Sequence, residues 1–170
     1  MLTLALVRHG KAVNPKGRCD HERPLAPRGR RDAPLMGAWL GARGIEPDFA
    51  LVSYARRTRE TWEGLQAGGL SAEAKFCDAL YHAPATTIRH KVAARRERSL
   101  IVVGHNPGLG RLAEQLTRCA PPHERFYDFP TCAALVLRFE EDEWDRAMRS
   151  KGDLAAFAVP GDLLGNEAAA

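Results

Sequence analysis

Cysteine is scarce and scattered. Cys19, Cys77, Cys119 and Cys132 are the only four in the 170-residue chain, and no two lie close in sequence. That excludes a C-x-x-C redox pair and the paired-cysteine spacing of a zinc site. Cys19-Asp20-His21-Glu22 gathers ligand-type side chains. Neighbours on an extended loop point opposite ways, however, and the sequence offers no second half of a site, so no metal is expected. Unpaired thiols suit a reducing compartment, and the cytoplasm is the expected location. No run approaches the ~20 apolar residues of a membrane span. The opening residues lack the basic segment and cleavage site of a secretory leader, so export is not expected either. A strong charge of one sign is missing too. The formal net charge of +4 is too weak to argue for nucleic acid, yet it is compatible with an anionic substrate. Internal repeats, linkers and low-complexity segments are absent, and the length fits one domain over residues 1–170.

What is present is the apolar content, 45%, and charged content, 27%, of an ordinary globular chain. Short apolar runs ended by glycine or polar residues predict strands at Leu2–Val7, Phe49–Val52 and Leu100–Val103, with a weaker one at Glu73–Cys77. Helices are predicted at about Arg28–Arg43, Arg57–Leu65, Ala85–Arg96 and Pro107–Arg118. Pro34 sits badly in the first, which should be kinked or begin later, and Gly44 should close it. Asn106 should cap the fourth, with Pro107 at its first helical position. Cys19–Gly29 reads as loop. Ala133–Phe139 and Glu143–Met148 read as strands joined by an acidic turn, and the tail after Pro160 should fray. Alternating strands and helices imply an α/β three-layer sandwich: a mostly parallel central sheet, helices on both faces and an antiparallel edge strand.

In such sheets ligands bind at the carboxyl ends of the strands. The first strand ends on Arg8-His9-Gly10, the second on Ser53-Tyr54-Ala55-Arg56-Arg57, and the third leads to Asp78 and His82. The Leu100–Val103 strand leads to Gly104-His105-Asn106-Pro107. Two cations and two imidazoles therefore gather on one edge. Gly10 and Gly104 permit sharp turns, and the helix opening at Pro107 offers its N-terminus. Planar guanidinium forks match phosphate oxygens, so a phosphate site is expected, with His9 placed to attack phosphorus. Arg56 and Arg59 read as surface, as do His21, His90 and His123. Trp39, Trp62 and Trp144 read as packing.

Arg8-His9-Gly10, the later Gly104-His105, and Arg57 in the frame Ser53-x-x-x-Arg57-x-x-x-Thr61 resemble the histidine phosphatase (phosphoglycerate mutase-like) superfamily. Arg23-Pro24-Leu25-x-x-x-Gly29, Val103-Gly104-His105-Asn106-Pro107 and Phe129-Pro130-Thr131 are similar to its SixA-type phosphohistidine phosphatases. The resemblance spans residues 2–140 in order. It implies the phosphoglycerate mutase-like fold and a metal-independent phosphatase without cofactor. His9 would be the nucleophile that carries the phosphoryl group, and Arg8, Arg57 and His105 would hold its oxygens. Arg23 would contribute to binding. His9 must be neutral at the attacking nitrogen, with its other proton held by a backbone carbonyl.

This sequence departs from the pattern where many relatives place a general acid after the third strand. The aligned position is Ala79, with Asp78 and His82 as possible substitutes, and Tyr54 stands where relatives have proline. An alcohol leaves badly without an acid, whereas an imidazole, with a pKa of about 6.5, leaves well. The expected substrate is therefore a phosphohistidine-bearing signalling or phosphotransfer protein, with inorganic phosphate as product. Small phosphomonoesters and a non-catalytic phosphate- or phosphoprotein-binding module are the alternatives.

Overall fold

The computed structural model describes residues 1–17 and 19–167. Six strands are β1 (Leu2–Arg8), β2 (Phe49–Ser53), β3 (Glu73–Cys77), β4 (Ser99–Gly104), β5 (Ala134–Phe139) and β6 (Asp153–Ala158). They pair into one sheet in the order β3-β2-β4-β1-β5-β6. The pairs β1–β4, β2–β4 and β2–β3 are parallel, while β5 runs antiparallel to both β1 and β6. The antiparallel strand thus lies one in from the edge, and β6 forms the edge itself. The helices are α1 (Pro27–Gly41), α2 (Arg56–Ala67), α3 (Ala85–Ala93), α4 (Gly108–Leu116), α5 (Trp144–Ala147) and α6 (Pro160–Glu167).

The apolar runs of β1 and β4 are buried on both faces, and alternate residues feed two cores. Leu2, Leu4, Leu6, Leu100 and Val102 face a core with Ile88 and Val92 of α3, Leu109 and Leu112 of α4, and Trp144 of α5. Ala5, Val7, Ile101 and Val103 face a second core with Met36 and Leu40 of α1 and Trp62 and Leu65 of α2. This two-sided burial is why the runs read as continuous hydrophobic strands.

Several boundaries differ from the sequence expectation. Residues 143–148 hold α5, not a strand, because Trp144, Ala147 and Met148 recur at i, i+3 and i+4 and all face the core. The strand that flanks β5 on its outer side is β6, whose alanine-rich sequence gave no signal. The stretch after Pro160 forms α6 through Glu167, while residues 168–170 lie outside the described residues. Helix α1 starts at Pro27, where the missing N–H is harmless, and runs through Pro34. Gly68 packs so closely on this stretch that a Cβ there would meet Pro34 O at 2.2 Å. Asn106 does not cap α4 in the usual sense. Its Oδ1 accepts from Gly110 N at 3.1 Å, one turn in, and its Nδ2 donates to the carbonyls of Asp128 and Phe129.

Candidate active site

The backbone around His9 is clamped from two sides. His9 N donates to Gly104 O at 3.0 Å, at the end of β4. Cys132 N, just before β5, donates to Arg8 O and His9 O at 3.1 and 3.0 Å. Gly10 N donates to Thr61 Oγ1 at 2.9 Å, and Thr61 Oγ1 donates to Arg57 O at 2.6 Å, tying the loop after β1 to α2. The first turn of α1 also presses on this loop. A Cβ on Gly29 would lie 2.3 Å from Lys11 O, so only glycine fits there.

His9 Nδ1 lies 2.8 Å from Gly10 O. A carbonyl only accepts, so Nδ1 carries the proton and Nε2 presents its lone pair. Burial pushes His9 down from 6.5 to about 3, opposed by that hydrogen bond and reinforced by the charges of Arg57, Arg8 and Arg23. His9 is therefore neutral at pH 7.

Arg57 stands in the first turn of α2 and is 1% exposed. Its NH1 donates to Asp20 O at 2.8 Å and its NH2 to Asp20 Oδ2 at 3.0 Å. The same NH2 lies 3.4 Å from His105 Nδ1, which must accept, so His105 Nε2–H donates to Ser53 Oγ at 2.7 Å. Burial, then His9, Arg57 and His82, take His105 down to about 2. The rings of His9 and His105 meet edge to face, with centroids 5.2 Å apart. Arg8 NH1 donates to Phe129 O at 3.1 Å. Buried Nε atoms of both Arg8 and Arg57 find no acceptor among the described residues. Two guanidiniums with unmet donors, around one neutral imidazole whose Nε2 has no partner among the described residues, have the chemistry to hold a tetrahedral anion and to present a nucleophile to it.

Of the expected residues, Arg8, His9, Arg57 and His105 come together. Arg23 reaches His9 through its charge, but its hydrogen bonds go to Val13 O and Asp20 Oδ1, both at 2.9 Å, so it also braces the loop after β1. His82 Nε2 lies 3.1 Å from Asp20 Oδ2 and its ring centroid 5.0 Å from that of His105. Asp78 is exposed at the start of a 3-10 turn (Asp78–Leu80), and its side chain makes no hydrogen bond to the cluster among the described residues. Arg56 pairs with Glu60 and Arg59 stacks on Tyr54. His21, expected at the surface, stacks on Tyr81 with centroids 4.0 Å apart.

Sequence reasoning missed Asp20 and Tyr81. Asp20 accepts from Arg57, Arg23, His82 and the Tyr81 hydroxyl. Partial burial pushes its carboxyl up. The hydrogen bonds from Tyr81, Arg23 and His82 and the charge of Arg57 outweigh that and hold it well below the usual carboxylate range. Its one sequence signal was the Asp20-x-x-Arg23 spacing, inside a cluster weighed only as a metal site. No group of metal-ligating side chains occurs among the described residues, and none of the described helices is long and apolar enough to cross a membrane.

Residues 4–81 match the sequence profile of the histidine phosphatase superfamily (branch 1). An uncharacterized protein of Mycobacterium tuberculosis is 37% identical over 161 residues, covering 91% of this chain and 99% of the relative. Among solved structures, a protein assigned as phosphohistidine phosphatase SixA in Nakamurella multipartitia superposes with a TM-score of 0.80. It is 28% identical and covers 94% of this chain and 96% of its own. The protein histidine phosphatase SixA complexed with tungstate shares the fold, with a TM-score of 0.77 at 23% identity over 95% of this chain and 99% of its own.

Proposed function

The chain belongs to the histidine phosphatase superfamily, and from that footing we propose that it hydrolyses phosphohistidine on a signalling or phosphotransfer protein of the cytoplasm. The observation that carries this reading is the fixed tautomer of His9, with Nδ1–H on Gly10 O and Nε2 free beside Arg8 and Arg57.

In the first step His9 Nε2 bonds to phosphorus and the P–N bond of the substrate breaks. The substrate ring, protonated on its other nitrogen, leaves as neutral imidazole, so no acid is required. Arg8, Arg57 and Arg23 hold the phosphoryl oxygens and neutralise charge in transfer. The incoming dianion favours a proton on His105 Nδ1, which then donates to the same oxygens. In the second step water attacks phosphorus and the Nε2–P bond breaks. His9 leaves as neutral imidazole, because Gly10 O has kept its Nδ1 proton, and inorganic phosphate departs. A similar fold complexed with tungstate, itself a tetrahedral oxyanion, supports the choice of ligand, as does the likeness to a SixA-assigned protein.

A second reading, hydrolysis of small phosphomonoesters, is favoured by one observation: His82 stands close enough to the cluster to protonate an alcohol. The test is a side-by-side assay of wild type and His9→Ala on a phosphohistidine-bearing protein and on small phosphomonoesters, quenched early to trap label on the enzyme. Acid-labile label on wild type alone, with preference for the phosphoprotein, is expected. Preference for small esters would move the substrate class. Phosphate binding with neither label nor turnover would leave a binding module.

A further inference from the structure

The proposed mechanism leaves one proton without a destination, the one released by the water that cleaves phosphorylated His9. Four neighbours could take it, and three are spoken for. The Asp20 carboxylate already accepts from Tyr81, Arg57, Arg23 and His82, which makes it a poor base. Tyr81 keeps its hydroxyl proton, since burial and Asp20 raise it above its ordinary value. His105 Nδ1 faces the Arg57 guanidinium at 3.4 Å in the free site, and with the phosphoryl group bound it already carries the proton that holds the oxygens.

His82 remains. His82 Nε2 lies 3.1 Å from the Asp20 carboxylate, which can only accept. It also lies 3.5 Å from Arg57 NH2, whose two hydrogens already go to Asp20 Oδ2 and His105 Nδ1. Nε2 therefore carries the hydrogen toward Asp20, which leaves Nδ1 with the lone pair. Its ring packs against His105, and His105 packs against His9. The side chain is 52% exposed, so a proton taken up can pass to solvent. The position is built, too. His82 has φ 46°, a left-handed conformation that costs a side chain free energy. The next residue is wedged against α4, where a Cβ on Gly108 would lie 1.8 Å from Ala83 O.

Building on the reading of His9 as the phosphoryl carrier, we infer that Asp20 and His82 form a dyad. Asp20 is the positioning residue, and His82 Nδ1 takes the proton of the water that hydrolyses phosphorylated His9. The water oxygen bonds to phosphorus, the P–Nε2 bond breaks with its electrons returning to His9, and the proton goes to His82 and then to bulk water. With an alcohol as leaving group the same imidazole, protonated, returns the proton to its oxygen. This pair occupies the role left open by Ala79.

The experiment follows the label on His9 in single turnover with a phosphohistidine-bearing protein. His82→Asn suits the left-handed backbone, which asparagine tolerates. It should form label at the wild-type rate and lose it about 100-fold more slowly, the lower end of what general acid–base catalysis supplies. Added imidazole should restore the loss. Asp20→Asn keeps an acceptor for His82 Nε2–H and should slow label loss less than His82→Asn. Label lost from His82→Asn at the wild-type rate, or slowed without rescue by imidazole, overturns the dyad while His9 chemistry stands. No label on the wild type overturns both.

Discussion

Arg57 and Arg95 sit at opposite ends of the sheet, and both lie over an aromatic ring, Tyr81 at 5.9 Å and Phe49 at 3.7 Å. Arg95, at the amino end of β4, has its fork filled by Glu97, two residues away, through Nε at 3.0 Å and through NH2. Nearby, Trp144 Nε1 donates to Glu97 O at 2.6 Å, and Asp48 accepts from Ser99 N at 2.9 Å. Polar groups at that end are paired with one another. Arg57 is the more buried, yet it shares Asp20 with three other donors and its Nε has no acceptor among the described residues. A buried donor left unmet costs roughly 1–3 kcal/mol. One end of the sheet is electrostatically closed, and the other keeps guanidinium donors without an acceptor among the described residues, as the proposed anion site requires.

The comparison breaks most directly by making the same substitution at both ends. Arg57→Lys removes the planar fork and shortens its reach, and kcat/KM on the phosphorylated substrate should fall by about 100-fold or more. Arg95→Lys should leave kcat/KM unchanged and lower stability by about 1 kcal/mol or less, as for a partly exposed ion pair. Steady-state kinetics on folded protein, with urea melts alongside, measures both. Equal losses of activity would mean that Arg57, like Arg95, only holds the fold.

Acid should separate the two ends next. His9 and His105 are neutral in the fold, down to about 3 and about 2, against 6.5 for a free imidazole. Between those values the unfolded chain binds the more protons. Stability from the site end is therefore complete above pH 6.5 and falls as the pH drops below it. At the closed end, Glu97 is held below its ordinary 4.5 by the Arg95 hydrogen bonds. Its contribution is present above 4.5 and is lost only on further acidification. Urea midpoints measured from pH 7.5 to 5 should decline in wild type and decline less steeply in His9→Asn, while Glu97→Gln should not change that slope. A flat wild-type profile over this range would contradict neutral burial of the two histidines.

The closed and open ends were not equally legible in the sequence. Arg8, His9, Arg57 and His105 could be brought together because each follows a short apolar strand, and a mostly parallel sheet delivers its strand ends to one edge. Asp20 could not be placed that way. Its contacts to Arg57 and Tyr81 span 37 and 61 residues, and a loop residue has no periodicity to announce a distant partner. The last third of the chain misled for a different reason. Its α5 is one turn long, and β6 has alanines where a strand usually advertises itself with branched or aromatic side chains. Such elements are held by what they pack against, which the local sequence does not show.

Trp144 tests the closed end at its smallest scale. It is the first residue of α5, the turn misread from sequence, and its indole N–H is the partner of the Glu97 carbonyl. Trp144→Phe keeps an aromatic ring in the core beside Phe139 but removes that donor. The Glu97 carbonyl then loses its partner at a part-buried site, for which about 1 kcal/mol is expected, with some further loss from the smaller ring. Turnover per folded molecule should not change, because α5 packs on α3 and bonds Glu97 just before β4, whereas His9 stands at the other end of that strand beside Gly104. A fall in kcat with stability intact would show that the two ends are coupled through β4, whose first residue, Ser99, lies beside Asp48 and whose last, Gly104, receives the His9 N–H.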